Sequence, residues 1–274
     1  MSTDIFAAQQ DRTVQGTLGH ISNADELIYE KPYEILYHPE PGFEFVALEP
    51  KDSLTLDVIQ QPGGEETVKS YLTVLGDLLK DHLEAEQVIL YDWRIRSTRA
   101  EVTWPRPPDR FVQLPPAACV HADESGLCGR KIVTEHLTDE ERERLNKGEG
   151  RFRIINIWRP LVPMVTVKPL ALCDWRSVHS SDWELCDQVL KDHIDEAMYL
   201  KHKPTHQWWW LPDQKSNEII LFVVWDSQKF RQGKQETNRC GTASTPHAAF
   251  DLPGSGSGQI RESIEVRSII WTKH

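Results

Sequence analysis

Apolar residues recur along this chain at two different spacings. Val68, Tyr71, Leu72, Leu75, Leu78, Leu79 and Leu83 fall three and four apart behind Gly63-Gly64. That spacing lays one apolar stripe along a helix. Thr138 and Glu141 have capping-box spacing and predict a charged surface helix running to about Lys147. Ser181 and Glu184 repeat that spacing ahead of Leu185, Val189, Leu190, Ile194 and Met198. A second amphipathic helix is expected there. Elsewhere the pattern is alternating or continuous. Residues 43–58 predict two short strands broken at 50–53, and residues 88–91, 153–158 and 169–173 predict one strand each. Residues 105–116 are proline-rich and read as a loop that leads into a short β-like run at 117–121.

From Gln207 onward the pattern is almost wholly β. Residues 207–211 and 218–225 look like strands paired around Pro212-Asp213-Gln214. Residues 245–250 and 264–271 make two more, joined by the flexible run Gly254-Ser255-Gly256-Ser257-Gly258. In Trp208-Trp209-Trp210 the middle ring should point away from its neighbours. Helices early and strands through the middle and end indicate an α+β domain built on a barrel or sandwich. Residues 1–30 are expected to be a surface extension and residues 31–274 one domain.

Composition narrows the function classes. A formal charge of −11, with no run of Lys and Arg longer than two, excludes the clustered basic surface of a nucleic-acid protein. Five cysteines without a C-x-x-C pair argue against a zinc ribbon or a disulfide framework. No secretory signal or membrane-length apolar stretch is visible, so a cytoplasmic protein is expected. Ten Trp suit a core and pocket wall that accept a small hydrophobic molecule. A homodimer is compatible with this composition.

The candidate chemistry lies in three places. His121-Ala122-Asp123 puts an imidazole and a carboxylate two residues apart, hence on one face of a strand. Alone, the pair fits a metal site or a simple His–Asp hydrogen bond at a strand end. His247 follows 126 residues later in the mostly apolar Thr245-Pro246-His247-Ala248-Ala249-Phe250. By itself it reads as a core histidine as readily as a ligand. Together, two imidazoles and a carboxylate are the ligand set of non-haem iron(II) oxygenases. Arg261 and Ser263 come next, again two apart, and a guanidinium with a nearby hydroxyl can hold the distal carboxylate of 2-oxoglutarate. His136, His179, His193, His202 and His206 read as solvated. Tyr91 and Arg94 read as packing residues before pocket residues, and Asp226 reads as a turn residue.

From Glu30-Lys31-Pro32-Tyr33 to the C-terminus the chain resembles the iron(II)/2-oxoglutarate-dependent oxygenases of fungal secondary metabolism. The likeness rests on Val120-His121-Ala122-Asp123, on Arg153 through Leu161, on Trp208 through Gln214, on Thr245 through Phe250 and on Arg261 through Arg267. It implies a double-stranded β-helix (jelly-roll) fold. It implies His121, Asp123 and His247 as iron ligands, Arg261 and Ser263 as the 2-oxoglutarate anchor, and dioxygen as the oxidant. It also directs attention to Asn156, as a partner of the chelating carboxylate, and to Arg159, as a substrate-binding or bracing residue. The rival expectation is a barrel-fold binding protein or an inactive partner subunit.

Overall fold

The computed structural model describes residues 3–7, 13–16, 42–47, 54–101, 109–189, 194–232, 244–252 and 259–273. Thirteen strands are found among them. They are β1 (Thr3–Ala7), β2 (Thr13–Gly16), β3 (Phe43–Ala47), β4 (Gln87–Ser97), β5 (His121–Ala122), β6 (Arg151–Pro160) and β7 (Leu170–Cys173), followed by β8 (Trp183–Val189), β9 (Ile194–Leu200), β10 (Trp208–Trp210), β11 (Glu218–Asp226), β12 (His247–Ala249) and β13 (Glu262–Thr272). The helices are α1 (Leu56–Gln60), α2 (Gly64–His82), α3 (Gly126–His136), α4 (Asp139–Lys147) and α5 (Ser227–Gln232).

Strand order is β2-β1-β10-β7-β12-β5-β9-β8 in one sheet and β3-β11-β6-β13-β4 in the other. Leu170, Leu172 and Trp209 of the larger sheet meet Ile154, Trp158, Ile220, Phe222 and Ile269 of the smaller in one buried cluster. The expected jelly roll is therefore two facing sheets and not a closed barrel. The outer face of the smaller sheet carries Ile155, Ile157, Ile264 and Val266, and α2 covers it with Val68, Tyr71, Leu75 and Leu79. Truncating a fully buried leucine such as Leu79 to alanine would cost about 2–5 kcal/mol. Gly63 caps α2 at φ 91°, a left-handed conformation that glycine adopts without Cβ strain. Among the described residues no helix is long and apolar enough to cross a membrane.

Several expectations are met closely. The capping box at Thr138 and Glu141 is present and opens α4, which ends at Lys147. Trp209 packs between the sheets while Trp208 and Trp210 join a separate cluster on the other face of β10. Three expectations are corrected. The predicted helix over 185–198 is the hairpin β8–β9. Its apolar positions pair across strands, Leu185 with Met198 and Val189 with Ile194, so a helical stripe and a cross-strand ladder look alike in sequence. The second short strand expected before residue 58 is helix α1, because the Thr55 hydroxyl accepts the Val58 N–H and caps a turn. Strands β10 and β11 do not pair. β10 lies between β1 and β7, and β11 lies between β3 and β6, so the turn after Trp210 carries the chain from one sheet to the other. Cys240, His193 and residues 254–258 lie outside the described residues.

Candidate metal centre

His247 opens β12 and pairs directly with His121 of β5. This register sets the two imidazoles side by side, with ring centroids 4.4 Å apart. Asp123 follows β5 immediately, and its Oδ1 lies 3.6 Å from His121 Nε2. One ligand atom from each of His121, Asp123 and His247 falls within 4.8 Å of the others. Each ring is oriented by a carbonyl. His121 Nδ1 is 2.9 Å from the Cys119 oxygen and His247 Nδ1 is 3.0 Å from the Thr245 oxygen. A carbonyl can only accept, so each Nδ1 carries the hydrogen and each Nε2 keeps its lone pair for a metal.

The local electrostatics keep this set ready to ligate. Burial, and then the neighbouring His121, push the His247 pKa down to about 4, so the ring is neutral at pH 7. Burial works against ionisation of Asp123, but Arg267 and the two imidazoles outweigh it and hold its carboxyl well below the usual range. Asp123 Oδ2 accepts a 2.6 Å hydrogen bond from Asn156 Nδ2, and Arg267 Nη2 lies 3.4 Å from Oδ1. Asn156 and Arg267 are themselves cross-strand partners on β6 and β13. Two imidazoles and one braced carboxylate, brought together at one site, suit iron(II).

One small cavity is lined by His121 and His247 together with Trp158, Glu265, Arg96 and Arg261. Arg261 is buried and its guanidinium lies 4.9 Å over the Trp158 ring. Its Nε and Nη1, and the buried Ser263 hydroxyl, have no hydrogen-bond partner among the described residues. Burial and then Arg96 lower the Arg261 pKa to about 9, which still leaves it charged at pH 7. An orphaned buried cation beside an orphaned hydroxyl fits a carboxylate. The ligand set lines the same cavity, so metal-binding and anion-binding groups share one site.

The remaining sequence candidates separate. Asn156 is turned to Asp123. Arg159 is not brought to the centre: β6 alternates, so Arg159 points to the helical face, where its Nε donates to the Ser216 carbonyl at 2.9 Å and its guanidinium lies 5.1 Å over Tyr71. His202 and His206 are buried, which corrects the solvated reading, and His206 Nε2 lies 3.2 Å from Asp182 Oδ2. Tyr91 is the extra residue of a β4 bulge and packs toward the inter-sheet core, its ring 4.9 Å from that of His136. Asp226 is buried, pairs with Arg151 and accepts the Gln228 N–H at 2.8 Å as α5 begins, which fits a turn residue. Sequence reasoning missed Arg96 and did not place Glu265 in the cavity or Arg267 beside Asp123. The period-two run Arg261, Ser263, Glu265, Arg267 was the signal for the last two.

A family described as "Oxidoreductase/YMDC permease-like domain" matches residues 37–271. The chain is 29% identical over 208 residues to the alpha-ketoglutarate-dependent dioxygenase phiK of a fungal species, covering 75% of this chain and 71% of that protein. It is 29% identical over 211 residues to the alpha-ketoglutarate-dependent dioxygenase tstK of Talaromyces stipitatus, covering 75% and 70%. The solved iron and alpha-ketoglutarate-dependent endoperoxidase NvfI superposes with a TM-score of 0.71 at 23% identity, over 89% of this chain and 83% of that one. The likeness to NvfI establishes the jelly-roll fold.

Proposed function

The chain belongs to the oxidoreductase/YMDC permease-like domain family, and within it we propose a non-haem iron(II)/2-oxoglutarate-dependent oxygenase that oxidises an unactivated C–H bond of a small secondary metabolite. One observation carries the reading: two imidazoles with free Nε2 lone pairs and one ionised carboxylate converge within 4.8 Å in a cavity that also holds Arg261, whose Nε and Nη1 have no hydrogen-bond partner among the described residues. The 2-oxoglutarate dependence named for phiK and tstK is in keeping with that geometry. Iron(II), when bound, supplies dioxygen activation coupled to oxidative decarboxylation of 2-oxoglutarate.

The chain's own residues divide the work. His121, Asp123 and His247 would hold the metal, which would supply dioxygen activation there. Asn156 and Arg267 fix the Asp123 carboxylate and balance its charge. Arg261 and Ser263 receive the distal carboxylate of 2-oxoglutarate, with Trp158 as the wall beneath the guanidinium. Ala117, Leu170 and Ala249 line the cavity with apolar surface, which excludes water and suits a hydrophobic substrate such as a terpenoid or meroterpenoid. Hydroxylation, desaturation, ring formation and endoperoxidation are the outcomes such a site permits. The full ligand set, together with the anchor, favours an active enzyme over a binding protein or an inactive partner subunit. On this reading residues 31–274 form the catalytic domain and the enzyme works in the cytosol.

The test is spectroscopic. Anaerobic iron(II) and 2-oxoglutarate added together to the protein should give a weak visible charge-transfer band that neither gives alone. His121→Ala should abolish it. A wild-type protein without the band, or a His121→Ala variant that keeps it, would end this assignment.

A further inference from the structure

We infer that Arg96 is a second guanidinium for the distal carboxylate of the co-substrate, closing on it from β4 while Arg261, the residue before β13, closes from the other side of the Ser263 hydroxyl. This deepens the 2-oxoglutarate reading above and rests on it.

The sheet register brings these groups together. Strand β4 pairs with β13 so that Arg96 stands directly opposite Ser263. Two residues along, the Arg261 N–H donates to Thr98 Oγ1 at 3.1 Å and the Thr98 N–H donates to the Arg261 carbonyl at 3.0 Å. Arg261 is therefore the diagonal neighbour of Arg96 on the same face, a separation that long side chains span. Along β4, Trp93 and Ile95 enter the helix-side core, so the alternating Arg96 points between the sheets. Arg96 lines the same cavity as Arg261, His121 and His247.

The position is also built and held. Segment 109–116 runs along the free edge of β4, with the Ser97 N–H donating to the Leu114 carbonyl and the Leu114 N–H to the Ile95 carbonyl, each at 2.9 Å. From that segment the Pro115 carbonyl accepts Arg96 Nη1 at 2.9 Å. A carbonyl fixes the guanidinium without cancelling its charge. Among the described residues that is the one hydrogen bond found for the Arg96 guanidinium, and Arg261 Nε and Nη1 have none. Two like charges therefore meet in one cavity, in a chain whose overall charge is −11. Glu265 lines the same cavity and attracts both guanidiniums, but burial and Asp123 raise its pKa, so a further anion beside the two arginines is favoured. The lowered Arg261 pKa, due first to burial and next to Arg96, has the sign of the repulsion between the two arginines. One guanidinium suffices for a carboxylate. Two with a hydroxyl make a cup that requires the second negative charge of a dianion and so rejects a keto acid that lacks it.

The experiment is calorimetric titration of anaerobic iron(II)-loaded full-length protein with two ligands, 2-oxoglutarate and 2-oxovalerate. The second has the same five-carbon keto-acid chain but no distal carboxylate. Arg96→Gln should weaken 2-oxoglutarate by roughly tenfold to a hundredfold, the loss of one charge-assisted hydrogen bond, and leave 2-oxovalerate unchanged. Arg96→Lys should recover part of the loss, and Arg261→Gln should lose at least as much as Arg96→Gln. Because the two ligands are compared within each protein, a general loss of folding affects both and leaves their ratio intact. If Arg96→Gln changes both ligands alike or neither, while Arg261→Gln still loses 2-oxoglutarate, Arg96 has another role, such as reading an anionic organic substrate. If wild type does not distinguish the two ligands and Arg261→Gln has no effect, the co-substrate reading itself falls and takes this inference with it.

Discussion

At the scale of single residues, the centre depends on how the lone carboxylate is held. Asp123 must stay ionised inside a buried site, and one of its oxygens is taken by the 2.6 Å bond from Asn156. The amide can only be oriented with nitrogen toward the carboxylate, since the reverse would set two acceptors face to face. Supporting hydrogen bonds of this kind contribute about tenfold to a hundredfold to metal affinity. Asn156→Ala should therefore weaken Mn(II) or anaerobic iron(II) binding by about that factor. Its affinity for 2-oxoglutarate at saturating metal should match wild type. Calorimetric titration of each ligand separates the two effects. Intact metal affinity with weakened 2-oxoglutarate binding would instead make Asn156 a direct contact of the co-substrate, as the family likeness alone suggested.

At the scale of elements, the connection between β7 and β10 is tied by a buried pair. Asp182 accepts the His179 N–H at 3.0 Å and faces His206 Nε2 at 3.2 Å, so one carboxylate joins the turn before β8 to the loop before β10. Burial lowers the His206 pKa, and Asp182 offsets this only in part. The unfolded chain protonates this ring near pH 6.5 while the folded chain resists, so stability falls as pH drops below that value. Asp182, whose carboxyl is held below its ordinary value despite burial, adds loss of the same sign below about pH 3.8. In urea unfolding of the metal-free protein, His206→Gln should be less stable than wild type at pH 7.5 and should lose less between pH 6.5 and 5. His247 titrates with the same sign in both proteins, so the comparison isolates His206. Equal slopes would show that the pair does not sense acid. This same stretch marks where sequence reading stopped. Thr138 with Glu141 and Ser181 with Glu184 have identical spacing, yet only the first caps an α-helix. The second precedes a hairpin whose pairing depends on the β5 edge it extends, and no local pattern encodes that edge. The triad was legible because strand alternation fixes His121 relative to Asp123. Its partner His247 was legible as a residue type, but the register that pairs it with His121 is a tertiary fact.

At the scale of the molecule, the two sheets enclose charges that the protein alone does not neutralise. Asp123 and Glu265 face Arg267, whose charge these acids reinforce. Glu265 alone, its pKa raised by burial, is left to offset Arg96 and Arg261 in the same cavity. Metal and co-substrate would complete one charge system across a single cavity, so each should raise the affinity for the other. A ligand at a hundredfold its dissociation constant stabilises a folded chain by about 2.7 kcal/mol. For a domain of this size that is roughly 5–10 °C in melting temperature. Redox-stable Mn(II) alone should raise the melting temperature by about that much at this excess, and 2-oxoglutarate alone by less, because its chelating end then has nothing to bind. Both together should exceed the sum of the separate shifts, and 2-oxovalerate at the same concentration, which keeps the chelating end but lacks the distal carboxylate, should give a smaller excess. Differential scanning fluorimetry at fixed pH reads all four conditions. Strictly additive shifts would mean that metal and keto acid occupy independent sites. The single cavity between the sheets would then not be the place where the two ligands meet.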